Sequence, residues 1–394
     1  MNEKITVIDS IMGSGKTTWI INYMKKNPQK HFLYIAPLKS EDERIKNEIK
    51  NIYVPPDEEF KAKLPRVKSQ LRKKRSIAST HSLFQLFDEE CISLIRDGKY
   101  TLIMDEVIEV INPIKIKKAD IEIIMNSGAA IVDKDYRMIW TDQYENLSEN
   151  GYGWLENMIK LNKVINIDNE SLMWQFPPEI FDAFHDIFIL TYLFEANILH
   201  SYLLSNNLKY TKKSIINNKL TEFQRPDLAK YQDLITIYEG KLNTNIHTDR
   251  NTFSLTWYDN ADKIYLDRMK NNLYNWFHNI SHTKSKDSMW TTFKDYQIKL
   301  QGKGYTKGFV HVGCRATNEY SNKSSLAYCV NRFYKPMIKK YFSHLGYPVN
   351  ESLYALSDLI QWIWRSRIRN DQPISIYLPS PRMRNLLSDW LTNT

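Results

Sequence analysis

The chain has 394 residues, 42% hydrophobic and 25% charged, with a formal net charge of +9. That is length for two or three domains with cores of their own, and the composition excludes a fibrous or disordered chain. No apolar run is long enough to span a membrane, the N-terminus lacks a signal-peptide profile, and Cys91, Cys314 and Cys329 form neither a C-x-x-C pair nor a zinc-spaced cluster. A reducing cytoplasm is therefore the expected setting. The basic balance favours polyanionic partners. The 24 Tyr, 16 Phe and 10 Trp are mostly core.

In chain order, Lys4–Asp9 reads as a buried strand running into a glycine-containing turn and a helix over Trp19–Lys26. His31–Pro37 is a second strand and Ser40–Asn51 a charged amphipathic helix. Tyr53–Arg75 reads as a polar, basic loop or insertion. Ser76–Ser79 and Tyr100–Met104 read as strands around a helix near Ser82–Arg96, and Asp186–Tyr192 as another strand. Continuous apolar strands alternating with helices predict an α/β domain with a parallel sheet. Between Val107 and Pro178 the pattern predicts helices and a hairpin near Ala130–Trp140. A helical, polar stretch is expected from Phe194 to Ile246. A second α/β pattern follows, with strands at Phe253–Trp257, Ser288–Phe293, Gly308–Val312 and Ile374–Leu378. Helices near Asp262–His278, Ser325–His344 and Leu353–Arg369 separate them.

The sharpest motif is Ser10-Ile-Met12-Gly13-Ser14-Gly15-Lys16-Thr17-Thr18, between a strand and a helix. Backbone N–H groups in such a turn cradle phosphate oxygens, and glycine lets the backbone approach them. Lys16 is expected at the β- and γ-phosphates and the Thr17 hydroxyl at Mg²⁺. The standard pattern has Gly where this chain has Ser10. Asp105 and Glu106 end an apolar strand about ninety residues later. Asp105 is expected in the Mg²⁺ shell, with Glu106 polarising the attacking water. Two acids after a strand are also a common helix cap, and it is the phosphate loop upstream that favours the chemical role.

These residues resemble motifs I and II of superfamily 2 helicases of the D-E-x-x type, and most closely the compact helicase-like ATPases of phages and mobile elements of low-GC bacteria. Ile35–Leu38 resembles motif Ia, and Ser79-Thr80-His81-Ser82 the segment before the D-E box. Thr191 takes the place of the coupling motif III. Gln361-Trp-Ile-Trp364-Arg365-Ser-Arg367-Ile-Arg369 resembles motif VI, with Trp364 in the glycine place and the last arginine one position late. The resemblance implies Gln361 and Arg365 as catalytic, with Arg369 or Arg367 as the second finger. If Leu356–Asn370 is helical, Arg365 and Arg369 share a face, which favours that pair. Arg315, Thr317 and Asn318 fall in the motif V region, either contacting nucleic acid or capping a helix. Lys61, Lys63, Arg66, Lys68, Arg72, Lys73, Lys74 and Arg75 form the densest basic run, either phosphate contacts or a solvated segment. His81 is read equally as a strand contact or a core histidine.

The expected architecture is two tandem RecA-like lobes with parallel sheets and the ATP site in the cleft between them. Residues 1–200 form the N-terminal lobe with an insertion at about 107–185. Residues 201–394 form the C-terminal lobe with a linker or accessory segment at about 201–252. The expected function is an ATP- and Mg²⁺-dependent helicase or translocase on nucleic acid, DNA before RNA, in phage or mobile-element replication or recombination. The alternative is a nucleotide-gated clamp, loader or inhibitor that unwinds little.

Overall fold

Phe32–Ala36 is buried at all five positions, as a strand covered on both faces must be. The computed structural model that shows this describes residues 3–56, 60–141, 151–313 and 319–392. Its strands are β1 (Ile5–Asp9), β2 (Phe32–Ala36), β3 (Ile77–Thr80), β4 (Thr101–Asp105), β5 (Ile111–Pro113), β6 (Ala130–Val132), β7 (Met138–Trp140) and β8 (Val164–Ile167). They continue with β9 (Ser171–Gln175), β10 (Asp186–Thr191), β11 (Tyr210–Ile216), β12 (Lys219–Glu222), β13 (Ile235–Ile237), β14 (Ser288–Thr291), β15 (Ser325–Tyr328) and β16 (Ile374–Tyr377). The larger sheet has the order β12-β11-β1-β10-β4-β2-β3, with β10, β4, β2 and β3 mutually parallel. The second sheet, β13-β16-β15-β14, is parallel throughout. The fold is α/β, with two tandem RecA-like lobes.

Contacts divide the chain into two units. The first comprises Met1–Ile8, Thr17–Lys212 and Tyr334–Val349; the second comprises Asp9–Lys16, Lys213–Phe333 and Asn350–Thr394. The return of Tyr334–Val349 to the first unit has a packing cause. Its helix, Pro336–His344, buries Tyr341 and Phe342. Tyr341 accepts a hydrogen bond from Gln175 and meets the Tyr136 ring edge-on at 6.4 Å. Lys340 pairs with Asp168, and the Tyr334 hydroxyl donates to the Ala196 carbonyl at 2.5 Å.

Within the first unit, the segment after β4 builds an antiparallel sheet, β5-β9-β8, and a hairpin, β6–β7. Ile121, Ile124, Trp140, Leu155 and Leu172 give it a core cluster of its own. In the second unit the core is aromatic: Trp276, Phe277, Trp290, Tyr305 and Tyr377 cluster together. Two buried indoles of this unit find acceptors, Trp290 at the Tyr305 carbonyl (2.9 Å) and Trp362 at the Val310 carbonyl (3.0 Å), whereas the buried Trp276 indole N–H has none among the described residues.

Several elements differ from the sequence expectation. The Tyr53–Arg75 loop contains a helix, Phe60–Arg72. The helical stretch from Phe194 holds the β11–β12 hairpin, whose turn residues Asn217 and Asn218 both take the left-handed conformation of a two-residue turn. Phe253–Trp257 is no strand: the Ser254 side chain caps a helix, Leu255–Asn260, by accepting from the Trp257 N–H. Gly308–Val312 makes only an isolated bridge, Trp290 to Phe309. Ser325–His344 is not one helix, because its first four residues form the wholly buried β15. A short run buried on both faces carries no period to distinguish strand from helix.

Asp42, on the helix Lys39–Glu48, is 2% exposed, and its Oδ1 has no hydrogen-bond partner among the described residues. Burial, then the neighbouring Glu43, pushes its carboxyl up to about 7, with Lys39 and Lys63 opposing. A carboxyl raised on folding favours the folded state below its unfolded value of about 4, and that contribution is lost as pH rises through 7. Asp42→Asn is therefore expected to melt higher than the parent at pH 8 and to lose that advantage near pH 4. Thermal melts across this range check it; a constant difference would remove Asp42 as the cause.

Candidate active site

The turn after β1 is set by backbone geometry that only glycine adopts easily. Gly13 (φ 82°) and Gly15 (φ 89°) lie in the left-handed region, and the Ser14 N–H donates to the Ile11 carbonyl at 3.2 Å. The helix Lys16–Lys26 starts directly after, so its N-terminal turn opens on the glycines. Thr18 follows in the same helical turn. The Lys16 ammonium folds back on the Ser10 and Ile11 carbonyls at 2.5 and 3.1 Å. Met12 and Ser14 are part-buried in the turn.

Ser10 departs from the standard motif for a structural reason. Its hydroxyl accepts from the Ile215 N–H at 2.8 Å, and Ser214 donates to the Asp9 carbonyl at 3.3 Å. Strand β11 thereby holds the entry to the turn. The two-residue hairpin turn, Asn217 (φ 50°) and Asn218 (φ 59°), lies against Gly15, where a Cβ would sit 2.7 Å from the Asn218 Oδ1. Nothing in the sequence pattern pointed to this hairpin, because the stretch was expected to be helical.

The acidic pair ends β4. Leu190 on β10 is in register with Asp105, and its carbonyl accepts from the Glu106 N–H at 3.2 Å. Thr191, the coupling candidate, is the next residue on β10 and is buried. Glu106 has φ 64°, a left-handed conformation that strains a non-glycine residue and turns the chain sharply at the strand end. The Thr17 hydroxyl donates to Asp105 Oδ2 at 3.3 Å, bringing the phosphate-loop helix to the acid. Tyr34, on β2, donates its hydroxyl to the same Oδ2. Burial, then the Asp105 charge, pushes the Tyr34 phenol well above its ordinary value. Tyr34 was missed; the only sequence signal is one hydroxyl in the otherwise apolar run F-L-Y-I-A.

The arginines are not on one helix. The helix Glu351–Ile363 ends with Trp364 as its cap, and Ser366 is extended (φ −76°, ψ −173°). Arg367–Asn370 then forms a 3₁₀ turn. The shared helical face argued for Arg365 and Arg369 is absent, because the backbone turns out of the helix at Ser366, whose hydroxyl accepts from the Ile368 N–H at 3.4 Å and caps the 3₁₀ turn that follows. Arg365 is part-buried and Arg369 exposed. Arg367 donates to the Pro373 carbonyl at 2.5 Å. Gln361 donates to the Ser357 hydroxyl at 3.1 Å. Trp364, in the place of the motif glycine, is a core residue: its ring packs on Tyr231 at 4.9 Å and Trp390 at 5.8 Å.

The candidate nucleic-acid residues divide. Thr80 caps the helix His81–Phe84 by accepting from the Leu83 N–H, and His81 is buried. Lys73, Lys74 and Arg75 form an exposed turn after Phe60–Arg72. Within that helix, Lys68 pairs with Asp88 and Glu90, and Arg72 with Glu90, so part of the basic run is already neutralised. The Lys61 side chain, and Arg315, Thr317 and Asn318, lie outside the described residues.

Thr17 and Asp105 supply hard oxygen donors 3.3 Å apart, the kind of protein share a Mg²⁺ ion takes when phosphates and waters complete its shell. Among the described residues, no cluster of three or more His, Cys, Asp or Glu could hold a metal by itself. No helix among them is long and apolar enough to cross a membrane.

Comparison with known proteins gives two family matches. Residues 1–125 match the model described as type III restriction enzyme, res subunit, and residues 229–391 the YonV C-terminal Rossmann-like domain. Together they make the chain helicase-like. The "SPbeta prophage-derived uncharacterized protein YonV" of Bacillus subtilis (strain 168) is 43% identical over 410 residues, covering 99% of each chain. Among solved structures, S. tokodaii Xpd4 is 14% identical, with TM-score 0.49, over 98% of this chain and 94% of that one. The DUF1998 helicase MrfA, bound to DNA, is 12% identical, with TM-score 0.34, over 100% of this chain and 46% of its own. Neither structural likeness is close enough to carry a functional argument. Near full-length identity to the Bacillus protein does carry one for kinship: the chain belongs to the YonV family.

Proposed function

We propose that the chain is a Mg²⁺-dependent ATPase of helicase type that couples hydrolysis to movement on nucleic acid, DNA before RNA, in a prophage setting. The observation that carries this is the bond between the first turn of the phosphate-loop helix and the strand-end acid, Thr17 to Asp105 at 3.3 Å. Met12 to Thr18 bind the triphosphate through backbone N–H groups, with Lys16 exchanging its carbonyl partners for phosphate oxygens. Thr17 and Asp105 hold the metal, which when bound screens the phosphate charge. Glu106 accepts a proton from the attacking water as its oxygen bonds the γ-phosphorus and the bridging oxygen to the β-phosphate leaves. Arg365 places positive charge on the transferring group, with Arg369 and Gln361 as its neighbours in this role. Thr191, beside the acids, relays nucleotide state. Domain roles follow the same reading: residues 1–200 bind nucleotide, and 201–394 respond to it.

The deciding experiment is ATP hydrolysis by the full chain with and without single-stranded DNA. Stimulation by DNA is expected. Nucleotide binding with no response to nucleic acid would favour a nucleotide-gated clamp instead. Binding should also weaken with salt. Neutralising Lys73, Lys74 and Arg75 together is expected to lower the slope of log affinity against log salt by up to about 2–3, near 0.7–0.9 for each phosphate no longer neutralised. An unchanged slope would remove that exposed turn from the binding surface.

A further inference from the structure

Strand β2 is buried throughout, and four of its five residues are apolar. Tyr34 is the exception. It is 0% exposed, so packing alone would be met by phenylalanine. A hydroxyl in such a place costs stability unless it is hydrogen-bonded. Here the bond goes to one atom, Asp105 Oδ2. The strands make this contact reproducible: β2 and β4 are parallel neighbours, with Tyr34 in register with Ile103, two residues before Asp105. The phenol is held by a stiff sheet, whereas Thr17, the second donor to Oδ2, sits on the helix that meets the nucleotide. A carboxylate turns easily about its last torsion, so a fixed donor on one oxygen decides where the other points.

We propose that Tyr34 is a positioning residue for the metal: its hydroxyl fixes the Asp105 carboxylate so that the acid is oriented before nucleotide and Mg²⁺ arrive. This rests on the reading of Asp105 as a metal-side acid. Tyr34 touches neither nucleotide nor reacting atoms; it acts through Asp105.

The test measures binding, not turnover. Fluorescent, non-hydrolysable ATP analogue is bound to the full chain while Mg²⁺ is titrated, for the parent, Tyr34→Phe, Asp105→Asn and Tyr100→Phe. Tyr100→Phe removes another buried hydroxyl, one bonded to the Arg75 carbonyl rather than to an acid. Tyr34→Phe is expected to raise the Mg²⁺ needed for half-maximal binding about tenfold, the lower end for loss of a partner behind a metal ligand. Tyr100→Phe should leave it unchanged. Affinity without Mg²⁺, taken on each variant, corrects for general damage to the fold. If Tyr34→Phe matches the parent while Asp105→Asn is shifted, the positioning role is overturned and the site reading stands. If Asp105→Asn is also unshifted, the site reading fails and the role of Tyr34 fails with it.

Discussion

Glu106→Gln is expected to bind Mg·ATP as the parent does and to hydrolyse it about 10²–10⁴-fold more slowly. Glutamine keeps the shape and the strand-end backbone but cannot take a proton from water. The left-handed backbone of Glu106 (φ 64°) and its N–H bond to Leu190 do not depend on the carboxylate, so the fold should survive. Lys16→Ala is the complementary control. It removes the ammonium from the phosphate turn and is expected to abolish nucleotide binding rather than slow chemistry. Steady-state hydrolysis alongside nucleotide affinity separates the two. A Glu106→Gln chain with parental turnover would show that the proton goes elsewhere.

Arg365→Ala is expected to lower turnover by about 10³-fold or more with nucleotide affinity little changed, as for a guanidinium that acts mainly on transition-state charge. Lysine should not rescue it, because a point charge does not reproduce the planar donor fork. Parallel Arg367→Ala and Arg369→Ala chains identify the second arginine. In the structure Arg367 donates its Nε to the Pro373 carbonyl, and Arg369 is exposed in the same 3₁₀ turn. If Arg365→Ala costs affinity and turnover equally, its role is binding. If neither changes, the motif VI resemblance does not extend to chemistry here.

Two departures from the helicase motifs turn out to be local packing solutions. Ser10 stands where the standard phosphate loop has glycine and its hydroxyl accepts from the β11 backbone, and Trp364 stands in the glycine place of motif VI with its ring between Tyr231 and Trp390. Both places therefore still carry the surrounding motif while serving a second structural need.

By itself the sequence determined the strand–turn–helix at Ser10–Thr18, the acids at the end of β4 and the α/β character of both halves. These features are local: adjacent residues dictate a turn, a strand or a cap, whatever packs on them later. The tertiary structure alone decided which distant groups meet. Tyr34 reaches Asp105 across 71 positions because β2 and β4 are neighbours in the sheet. The Asn217-Asn218 turn reaches Gly15 because β11 bonds to Ser10, and Tyr334–Val349 joins the first unit because Tyr341 finds its partners there. Such pairings depend on strand order and crossovers. No window of sequence contains them, and buried strands such as β15 carry no period to mark even themselves.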